Sequence, residues 1–351
     1  MRPPAAKSGA ARRRRTSALA LAPALALAVV LTLAGPTGAA AQEIRFFRIG
    51  TGDTGGTLFA VGSAIASAIS NPPGSRPCAR GGSCGVPNLV AVAQSTEGAI
   101  ENVQAIASGL MESALVRADV AYWAYYGTGP FAAQEPLSDL RAIANLYPAV
   151  VHIVARQDQG ISTVSDLAGK RVSLGLKGSG TPANAQAILA AYGLLVDDVD
   201  ASYLDSGLAA DDLQAGEVDA FFAIGGLPIE AVEDLAWRTN TVLVPVEAAP
   251  RDEITSFSPF LAEAEIPAGT YSQIGLTPTV AVGTQFIVSA AADDDLVYEI
   301  TKSLWHERTR ELLASSHLQA RQISIEHALD RLAIPLHPGA ARYYREQGID
   351  R

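Results

Sequence analysis

A glycine-rich loop follows the first strand-like segment of this chain and leads directly into an amphipathic helix. The loop covers residues 50–57 with four glycines, and hydrophobic residues then recur at three- and four-residue steps at Leu58, Val61, Ile65 and Ile69. Glycines in such a turn let backbone N–H groups approach a ligand, and the N-terminus of the next helix favours negative charge. The loop therefore predicts a strand–helix unit with a candidate anion site; a tight turn without a ligand is the alternative.

The same glycines match a dinucleotide-binding pattern by spacing, at Gly50, Gly52 and Gly55. That pattern also needs an acidic residue about 20 positions later, which binds the ribose. No Asp or Glu occurs between Asp53 and Glu97. We therefore expect no nucleotide and no other cofactor.

The amino terminus has the three parts of a secretory signal. Residues 12–15 are all arginine, residues 18–34 are almost wholly apolar apart from Pro23, and small residues lead up to Ala41. An uncleaved membrane anchor is the alternative, but the apolar run is shorter than the roughly 20 residues that a spanning helix needs. We expect residues 1–41 to be a signal peptide cleaved near Ala41, and the mature protein to be periplasmic.

Cleavage at this position would leave a strongly acidic chain. It would remove six basic residues and no acidic ones, so that 20 Lys and Arg would remain against 36 Asp and Glu, a net charge of −16. Such a chain does not favour nucleic acid as a partner, and we expect a monomer. About 310 residues would remain, which exceeds the usual size of a domain with one core and predicts two lobes.

Strand and helix periods alternate along the mature chain, which predicts an α/β fold with parallel sheets covered by helices. The apolar segments 140–146 and 149–155, separated by Pro148, are interpreted as a crossing between lobes, and residues 278–290 as the return crossing. We expect lobe I to comprise residues 42–150 and 281–351, and lobe II residues 151–280. A ligand cleft should lie between the lobes, beyond the carboxyl ends of the strands.

Five loops follow predicted strands and could face this cleft: 52–57, 95–99, Arg117 with Asp119, 178–181 and 225–228. Ser95 or Thr96 would serve either a ligand or a helix N-cap. Arg117 would either bind a ligand carboxylate through two of its guanidinium N–H groups or form a pair with Asp119 or at the surface. Thr181 is predicted as the N-cap of a helix whose first residue is proline, and Asp119 as the cap of the aromatic helix that ends at Gly127.

The sequence offers little for catalysis or for metal binding. It has no His-Glu-x-x-His motif and no Cys–His pair close in sequence, and Glu97 is the only plausible base in the five loops. Cys78 and Cys84 should form a disulfide in an oxidising compartment, which stabilises so short a loop by roughly 2 kcal/mol. We expect no metal site, because the histidines at 152, 306, 317, 327 and 337 are distant in sequence from both cysteines.

Taken in order, these segments resemble one family, the TAXI-type solute receptors of tripartite ATP-independent periplasmic (TRAP) transporters. The resemblance spans nearly the whole mature chain. The matching segments are IGTGDTGGT (49–57), DVAY (119–122), LRAIA (140–144), VSLG (172–175), GSGT (178–181), VDAFF (218–222) and PLHPGAARYY (335–344).

The resemblance implies a two-lobed, type II-like binding protein that closes on a small organic anion, glutamate-like or a dicarboxylate, and delivers it to a TRAP permease. Arg117, Glu97 and Ala99 depart from the glutamine, glycine and serine that these receptors often have. A receptor for an ABC importer and a secreted enzyme on the same scaffold are the alternatives. The implied ligand-binding residues are Thr54, Gly55, Gly56, Thr57, Ser95, Thr96, Glu97, Gly98, Ala99, Arg117, Ser179, Gly180, Thr181, Gly225, Gly226 and Pro228.

Overall fold

The structure is a computed structural model that describes residues 43–349. The predicted signal peptide, residues 1–41, lies outside the described residues. Within them, no helix is both long enough and apolar enough to cross a membrane.

Twelve strands form the sheets of the described chain. They are β1 (Arg45–Gly50), β2 (Ser70–Asn71), β3 (Val86–Pro87), β4 (Leu89–Gln94), β5 (Ser113–Arg117), β6 (Leu140–Arg156), β7 (Arg171–Ser173), β8 (Asp200–Ser202), β9 (Ala220–Gly225), β10 (Thr241–Leu243), β11 (Leu261–Ile266) and β12 (Thr277–Ser289). Ten of them make one sheet in the order β4-β1-β5-β12-β6-β9-β7-β8, with β10 beside β6 and β11 beside β12, while β2 and β3 pair separately.

Ten α-helices connect and cover these strands. They are α1 (Thr57–Ile69), α2 (Ala99–Ala107), α3 (Ala118–Tyr126), α4 (Thr181–Ala191), α5 (Ser206–Ala215), α6 (Glu230–Arg238), α7 (Ala248–Phe257), α8 (Asp294–Leu304), α9 (Glu307–Ser316) and α10 (Pro338–Glu346). The periodic face predicted for α1 is buried at Val61, Ile65 and Ile69, each of which stabilises the fold by about 1.5–3 kcal/mol when fully buried.

Two parallel groups of strands lie at opposite ends of the large sheet. In one group β4, β1 and β5 are parallel, and in the other β9, β7 and β8 are parallel. The long strands β6 and β12, of 17 and 13 residues, run antiparallel to each other between the two groups. The predicted α/β fold with two lobes and two crossovers is therefore confirmed, and the predicted lobe boundaries fall inside β6 and β12.

The first crossover differs from the sequence expectation, because β6 continues through Pro148 without a break. Pro148 pairs with Gly283 of β12, and two residues later Val150 pairs with both Ala281 of β12 and Gly225 of β9. The proline ring holds a backbone angle that suits an extended strand, so only its missing N–H is lost from the ladder. A single strand therefore belongs to both lobes.

Each lobe has its own apolar core. In lobe I, Phe47, Ile49, Ile65 and Phe286 lie in one buried cluster. In lobe II, side chains of β6, β7, β9 and α4 form another. The strands that carry the loops at their carboxyl ends are packed into these two cores. The cores therefore fix the positions of those loops.

Two predicted helix caps are wrong. Gly180 is the N-cap of α4, so that Thr181 and Pro182 are the first two helical residues. Asp119 lies in the first turn of α3 rather than at its cap, and its Oδ1 accepts a hydrogen bond from Val120 N–H at 2.8 Å. The Asp119 carboxylate therefore still accepts a hydrogen bond from the first turn of α3, and it also accepts hydrogen bonds from Arg117.

The disulfide between Cys78 and Cys84 is present, as predicted. The expectation that no histidine lies near the cysteines is wrong. His306 is distant in sequence, but its Nε2 lies 3.9 Å from Cys78 Sγ. The fold brings the start of α9 against the disulfide loop, a contact that sequence spacing does not reveal.

Candidate functional site

A cavity of about 110 Å³ lies between the two lobes, at the carboxyl ends of their strands. A single water molecule needs only about 10–15 Å³ on the same measure, so the cavity can hold a small organic solute. The predicted residues that line it are Gly56, Thr57, Glu97, Gly98, Ala99, Arg117, Ser179, Thr181, Gly225 and Gly226. The predicted residues outside this lining are Thr54, Gly55, Ser95, Thr96, Gly180 and Pro228.

Three of the helices that begin at the cavity have a glycine at the N-cap. The N-caps are Gly56 for α1, Gly98 for α2 and Gly180 for α4. Glycine has no side chain with which to cap the free N–H groups of the first turn. The helix N-termini therefore place partial positive charge at the space between the lobes, although Thr181 N–H of α4 donates to the Ser179 hydroxyl at 3.2 Å and Ile100 N–H of α2 to the Gly178 carbonyl at 3.1 Å.

Ser95 and Thr96 join two loops instead of capping a helix. The Ser95 hydroxyl donates to the Gly52 carbonyl at 2.9 Å, and the Thr96 N–H donates to the same carbonyl at 3.2 Å. The Thr96 hydroxyl lies 2.9 Å from Asn102 Oδ1 and accepts from Gly98 N–H. These bonds fix the loop after β4 against the loop after β1.

Asn102 is a buried residue that sequence reasoning missed. Its Nδ2 donates to the Thr51 carbonyl at 2.7 Å and to the Leu115 carbonyl at 3.1 Å, and its side chain is wholly inaccessible to solvent. A polar residue on the apolar stripe of α2 is the signal that could have identified it. Asn102 therefore joins α2 to the end of β1 and to β5.

Arg117 forms the predicted pair with Asp119 and also lines the cavity, while its binding of a ligand carboxylate stays a prediction. Its Nε and Nη2 donate to the two Asp119 carboxylate oxygens at 3.3 and 3.0 Å, with side-chain exposures of 6% and 0%. Its Nη1 donates to the Thr181 hydroxyl at 3.3 Å, and Asn184 Nδ2 donates to Asp119. The guanidinium is therefore held rigidly, and most of its charge is neutralised within the protein.

The two lobes touch each other around the cavity. Ile100 N–H of lobe I donates to the Gly178 carbonyl of lobe II at 3.1 Å, next to the contact between Arg117 and Thr181. On the far side, Leu227 N–H of lobe II donates to Gln319 Oε1 of lobe I at 2.8 Å. The structure therefore describes a closed arrangement of the lobes.

Two hydroxyls on the cavity floor were also missed by sequence reasoning. Tyr147 of β6 and Thr284 of β12 are paired in register, line the cavity and are 1% and 0% exposed. Neither hydroxyl has a hydrogen-bond partner outside this pair among the described residues. Burial raises the pKa of Tyr147, against a smaller opposing effect of the neighbouring Thr284 hydroxyl, so that Tyr147 stays a neutral hydrogen-bonding group.

Two further carboxylates, Asp53 and Asp205, line the cavity from opposite lobes. Asp205 is the N-cap of α5, and its Oδ1 accepts from Gly207 and Leu208 N–H, each at 2.9 Å. Burial, and then the charge of Asp205, raise the pKa of Asp53. The burial of Asp53 is only partial, because its side chain stays exposed to solvent on the cavity wall.

The chemistry of the lining suits recognition of a polar solute. The described residues around the cavity include hydroxyls, carboxylates, one guanidinium and apolar side chains such as Leu58, Phe222 and Ile229, but no histidine or cysteine. His152 is buried within β6 instead, where its Nε2 lies 2.8 Å from the Tyr271 hydroxyl.

Comparison with known proteins gives a family match over most of the chain. The model of the NMT1-like family matches residues 49–348. Among solved structures, the periplasmic aliphatic sulphonate binding protein SsuA from Escherichia coli is 14% identical, with a TM-score of 0.42 over 86% of this chain and 84% of that one. A putative sulfonate ABC transporter protein, the periplasmic sulfonate-binding protein SsuA from Methylobacillus flagellatus KT, is 13% identical, with a TM-score of 0.49 over 88% and 96%. An ancestral arginine-binding protein bound to arginine is 13% identical, with a TM-score of 0.45 over 78% and 99%.

Proposed function

The chain belongs to the NMT1-like family, and from this premise we propose that the protein is an extracytoplasmic solute-binding receptor. It captures a small organic solute with an anionic group by closure of its two lobes, and it delivers that solute to a membrane permease. In this proposal the protein binds without catalysing a reaction. The predicted lobe boundaries and the ten cavity-lining residues are part of the same proposal.

The observation that carries the proposal is the convergence of three glycine-capped helix N-termini on one cavity between two lobes. Backbone N–H groups at a helix N-terminus favour negatively charged groups. Arg117 adds directional donors beside them, because its guanidinium is fixed by Asp119 and Thr181. A carboxylate, sulfonate or phosphonate group fits this set of donors.

Two kinds of permease are candidates for the receiving partner. The first is an ATP-driven ABC importer, the kind of transporter named for the Methylobacillus protein. The second is a TRAP permease, because the ordered motifs of the chain resemble those of the solute receptors that serve TRAP permeases. Uptake of the identified solute by intact cells distinguishes them: arsenate, which depletes ATP, stops an ABC importer, whereas an ionophore that removes the ion gradient stops a TRAP permease.

The first experiment is native mass spectrometry of the mature protein purified gently from its host, followed by unfolding to release any bound solute. A saturating ligand should stabilise the fold by RT ln(1 + [L]/Kd), roughly 4 kcal/mol at a thousandfold excess over Kd. It should also lower the radius of gyration measured by small-angle X-ray scattering of the stripped protein. Saturable binding that leaves the radius of gyration unchanged contradicts the receptor mechanism.

An enzyme on the same scaffold is tested with the same samples. Glu97 lies on the cavity wall and is the candidate base. If the protein converts the released solute to a product, and Glu97→Gln stops the conversion while binding persists, the receptor proposal is wrong.

A further inference from the structure

The loop of residues 225–229, called the latch loop below, is where lobe II meets lobe I on one side of the cavity. Leu227 N–H in this loop donates to Gln319 Oε1 of lobe I at 2.8 Å. A Cβ atom at Gly226 would lie 2.9 Å from the Thr57 side chain and nearer still to Gln319. Because Gly226 has no side chain to keep the two apart, the latch loop lies directly against lobe I in the closed arrangement.

Gln319 is a buried side chain whose amide joins the latch loop to the crossover strand β6. It is 1% exposed, and its Nε2 donates to the Pro148 carbonyl at 3.2 Å and to Gln322 Oε1 at 3.1 Å. A carbonyl can only accept a hydrogen bond, so the contact with Pro148 identifies the nitrogen of this amide. The amide oxygen is therefore the atom that faces Leu227 of lobe II.

Inside lobe II, His152 and Tyr271 form a chain of hydrogen bonds that ends at the latch loop. His152 Nδ1 lies 2.9 Å from the Val150 carbonyl, and its Nε2 lies 2.8 Å from the Tyr271 hydroxyl. The same hydroxyl accepts a hydrogen bond from Ile229 N–H at 2.8 Å. Because the His152 and Tyr271 side chains are buried, water does not replace these partners.

The direction of each hydrogen bond in this chain follows from the groups themselves. His152 Nδ1 faces a carbonyl, so it carries the proton, and a neutral ring then has Nε2 as an acceptor. Burial lowers the pKa of His152 to about 4, which keeps the ring neutral near pH 7. The backbone N–H of Ile229 can only donate, so the Tyr271 hydroxyl accepts from it and donates to Nε2. Only one arrangement satisfies every group in the chain.

This chain fixes the latch loop relative to the strand that crosses between the lobes. Val150 lies where β6 passes from one lobe to the other, because it pairs with both Ala281 of β12 and Gly225 of β9. The first residue of the latch loop, Gly225, is thus held by strand pairing, and the last residue, Ile229, is held by Tyr271. Leu227 lies between these two fixed points.

We propose that Tyr271 and His152 are positioning residues for lobe closure, which hold the latch loop so that Leu227 N–H meets Gln319 when the solute is bound. This inference rests on the proposed receptor function and adds determinants of affinity that lie away from the solute. Neither these two side chains nor Gln319 belongs to the described lining of the cavity.

The effect falls on the closed state for a physical reason. When the lobes separate, water replaces Gln319 as the partner of Leu227 N–H, and the latch loop can relax. In the closed state the loop is confined against Gln319 and Thr57, so loss of the Tyr271 hydroxyl destabilises this state more than the open one. A conformational equilibrium shifts only by such a difference between its two states.

The test measures lobe closure and affinity in one set of variants. Spin labels are attached to the mature protein, with its disulfide intact, at Gln104→Cys of lobe I and Asp252→Cys of lobe II, both exposed positions. Double electron–electron resonance gives the fraction of closed molecules, and isothermal titration calorimetry gives Kd. The probes are succinate, L-glutamate and the solute fraction released by unfolding the wild-type protein.

Two single variants and their combination separate a positioning role from a general effect on stability. Tyr271→Phe and Gln319→Met should each lower the closed fraction at a fixed probe concentration and weaken binding at least tenfold, about 1.4 kcal/mol. The double variant should bind within about twofold of the weaker single variant, because both changes act through one contact. Two independent effects on stability would multiply instead.

Tyr192→Phe is the matched control for the loss of a tyrosine hydroxyl. The Tyr192 hydroxyl also accepts a backbone N–H within lobe II, that of Glu247 at 2.7 Å, but Tyr192 is not among the residues that line the cavity. This variant should close and bind like the wild type, even if its free energy of unfolding is lower.

The outcomes separate the latch loop inference from the receptor function. If Tyr271→Phe closes and binds like the wild type, or if its full effect persists together with Gln319→Met, the inference is wrong. Gln319 lies between the lobes, so Gln319→Met keeps the test decisive if Tyr271→Phe folds poorly, and wild-type closure in that variant is equally contrary to the inference. If neither the added probes nor the released fraction closes the wild type, the receptor function itself is wrong.

Discussion

Arg117 and Asp119 form a buried ion pair at the edge of the cavity, with Nη2 and Oδ2 3.0 Å apart. The pair lies two residues apart in sequence, at the junction of β5 and α3. Because α4 contacts both members, through Thr181 and Asn184, the pair connects the proposed anion-binding donors of lobe I with lobe II. Its removal should therefore affect folding and binding together.

Substitution of Arg117 alone should be strongly destabilising. Arg117→Ala leaves the Asp119 carboxylate buried without its charge partner, which we expect to lower the free energy of unfolding by about 3–5 kcal/mol. Urea denaturation measures this loss. The double variant Arg117→Met with Asp119→Asn removes both charges and should recover much of the stability, while its affinity for the solute stays at least tenfold below that of the wild type. A double variant as unstable as the single one contradicts this interpretation of the pair.

Enlarging Gly180 should hold the lobes apart. A Cβ atom at this position would lie 2.5 Å from Arg117 Nη2 and nearer still to Val120, both in lobe I. The backbone of Gly180 is in a conformation that alanine can adopt, so the expected effect of Gly180→Ala is steric and falls on the closed arrangement. We expect at least tenfold weaker binding and a larger radius of gyration in the presence of ligand.

The matched control for this steric effect is Gly275→Ala. A Cβ atom at Gly275 would meet no atom within 4 Å, so this variant should behave like the wild type. If Gly180→Ala closes normally on ligand and only melts earlier, its contacts with Arg117 and Val120 persist in the open state, and the steric prediction is wrong.

Asn102 should act as a positioning residue for the two lobe I loops that follow β1 and β4. Asn102→Ala leaves the buried Thr51 and Leu115 carbonyls without the donor that serves both. We expect a loss of about 2–3 kcal/mol of unfolding free energy together with weaker solute binding. Thermal unfolding and calorimetry measure the two effects. Gln104→Ala, at an exposed position of the same helix, should change neither; a normal affinity in Asn102→Ala would show that the loops keep their places without this side chain.

The buried His152 should make the protein less stable as the pH falls below 6.5. Burial lowers the pKa of His152 to about 4 in the folded protein, from an ordinary value of 6.5. Because the unfolded chain binds a proton on this residue between pH 6.5 and 4 and the folded protein does not, protonation favours the unfolded state in this window. The loss approaches about 3 kcal/mol near pH 4.

Urea denaturation between pH 7.5 and 4.5 measures this loss. His152→Gln removes the titrating ring, so the difference in stability between wild type and variant should shrink as the pH falls. Tyr271→Phe, which removes the hydroxyl 2.8 Å from Nε2 but keeps the imidazole, is the control and should retain the pH dependence. Parallel pH curves for the wild type and His152→Gln would contradict the assignment.

Much of the architecture was predictable because it depends on local patterns. The stripe at Val61, Ile65 and Ile69 predicted a buried helix face, and the apolar segments on both sides of Pro148 were recognised as a crossover. The continuity of β6 through Pro148 was not predictable, because a proline is tolerated or excluded according to the strands beside it. The caps of α3 and α4 were missed because both residues make contacts with the opposite lobe. Asp119 accepts a hydrogen bond from Asn184, and Thr181 accepts one from Arg117.

The sequence by itself determined three features of this protein. They are the order of strands and helices, the glycine loops that precede α1, α2 and α4, and the pairing of two cysteines in a short loop. Each depends on hydrophobic period, backbone freedom or chain proximity, which are properties of neighbouring residues. The tertiary structure alone decided that Arg117 lines the cavity while it forms an ion pair with Asp119, that Asp53 and Asp205 line the same cavity, and that Tyr147 and Thr284 form the cavity floor. Those relationships join residues far apart in the chain or depend on burial, and the energy of a charge depends on the groups and solvent that folding places around it.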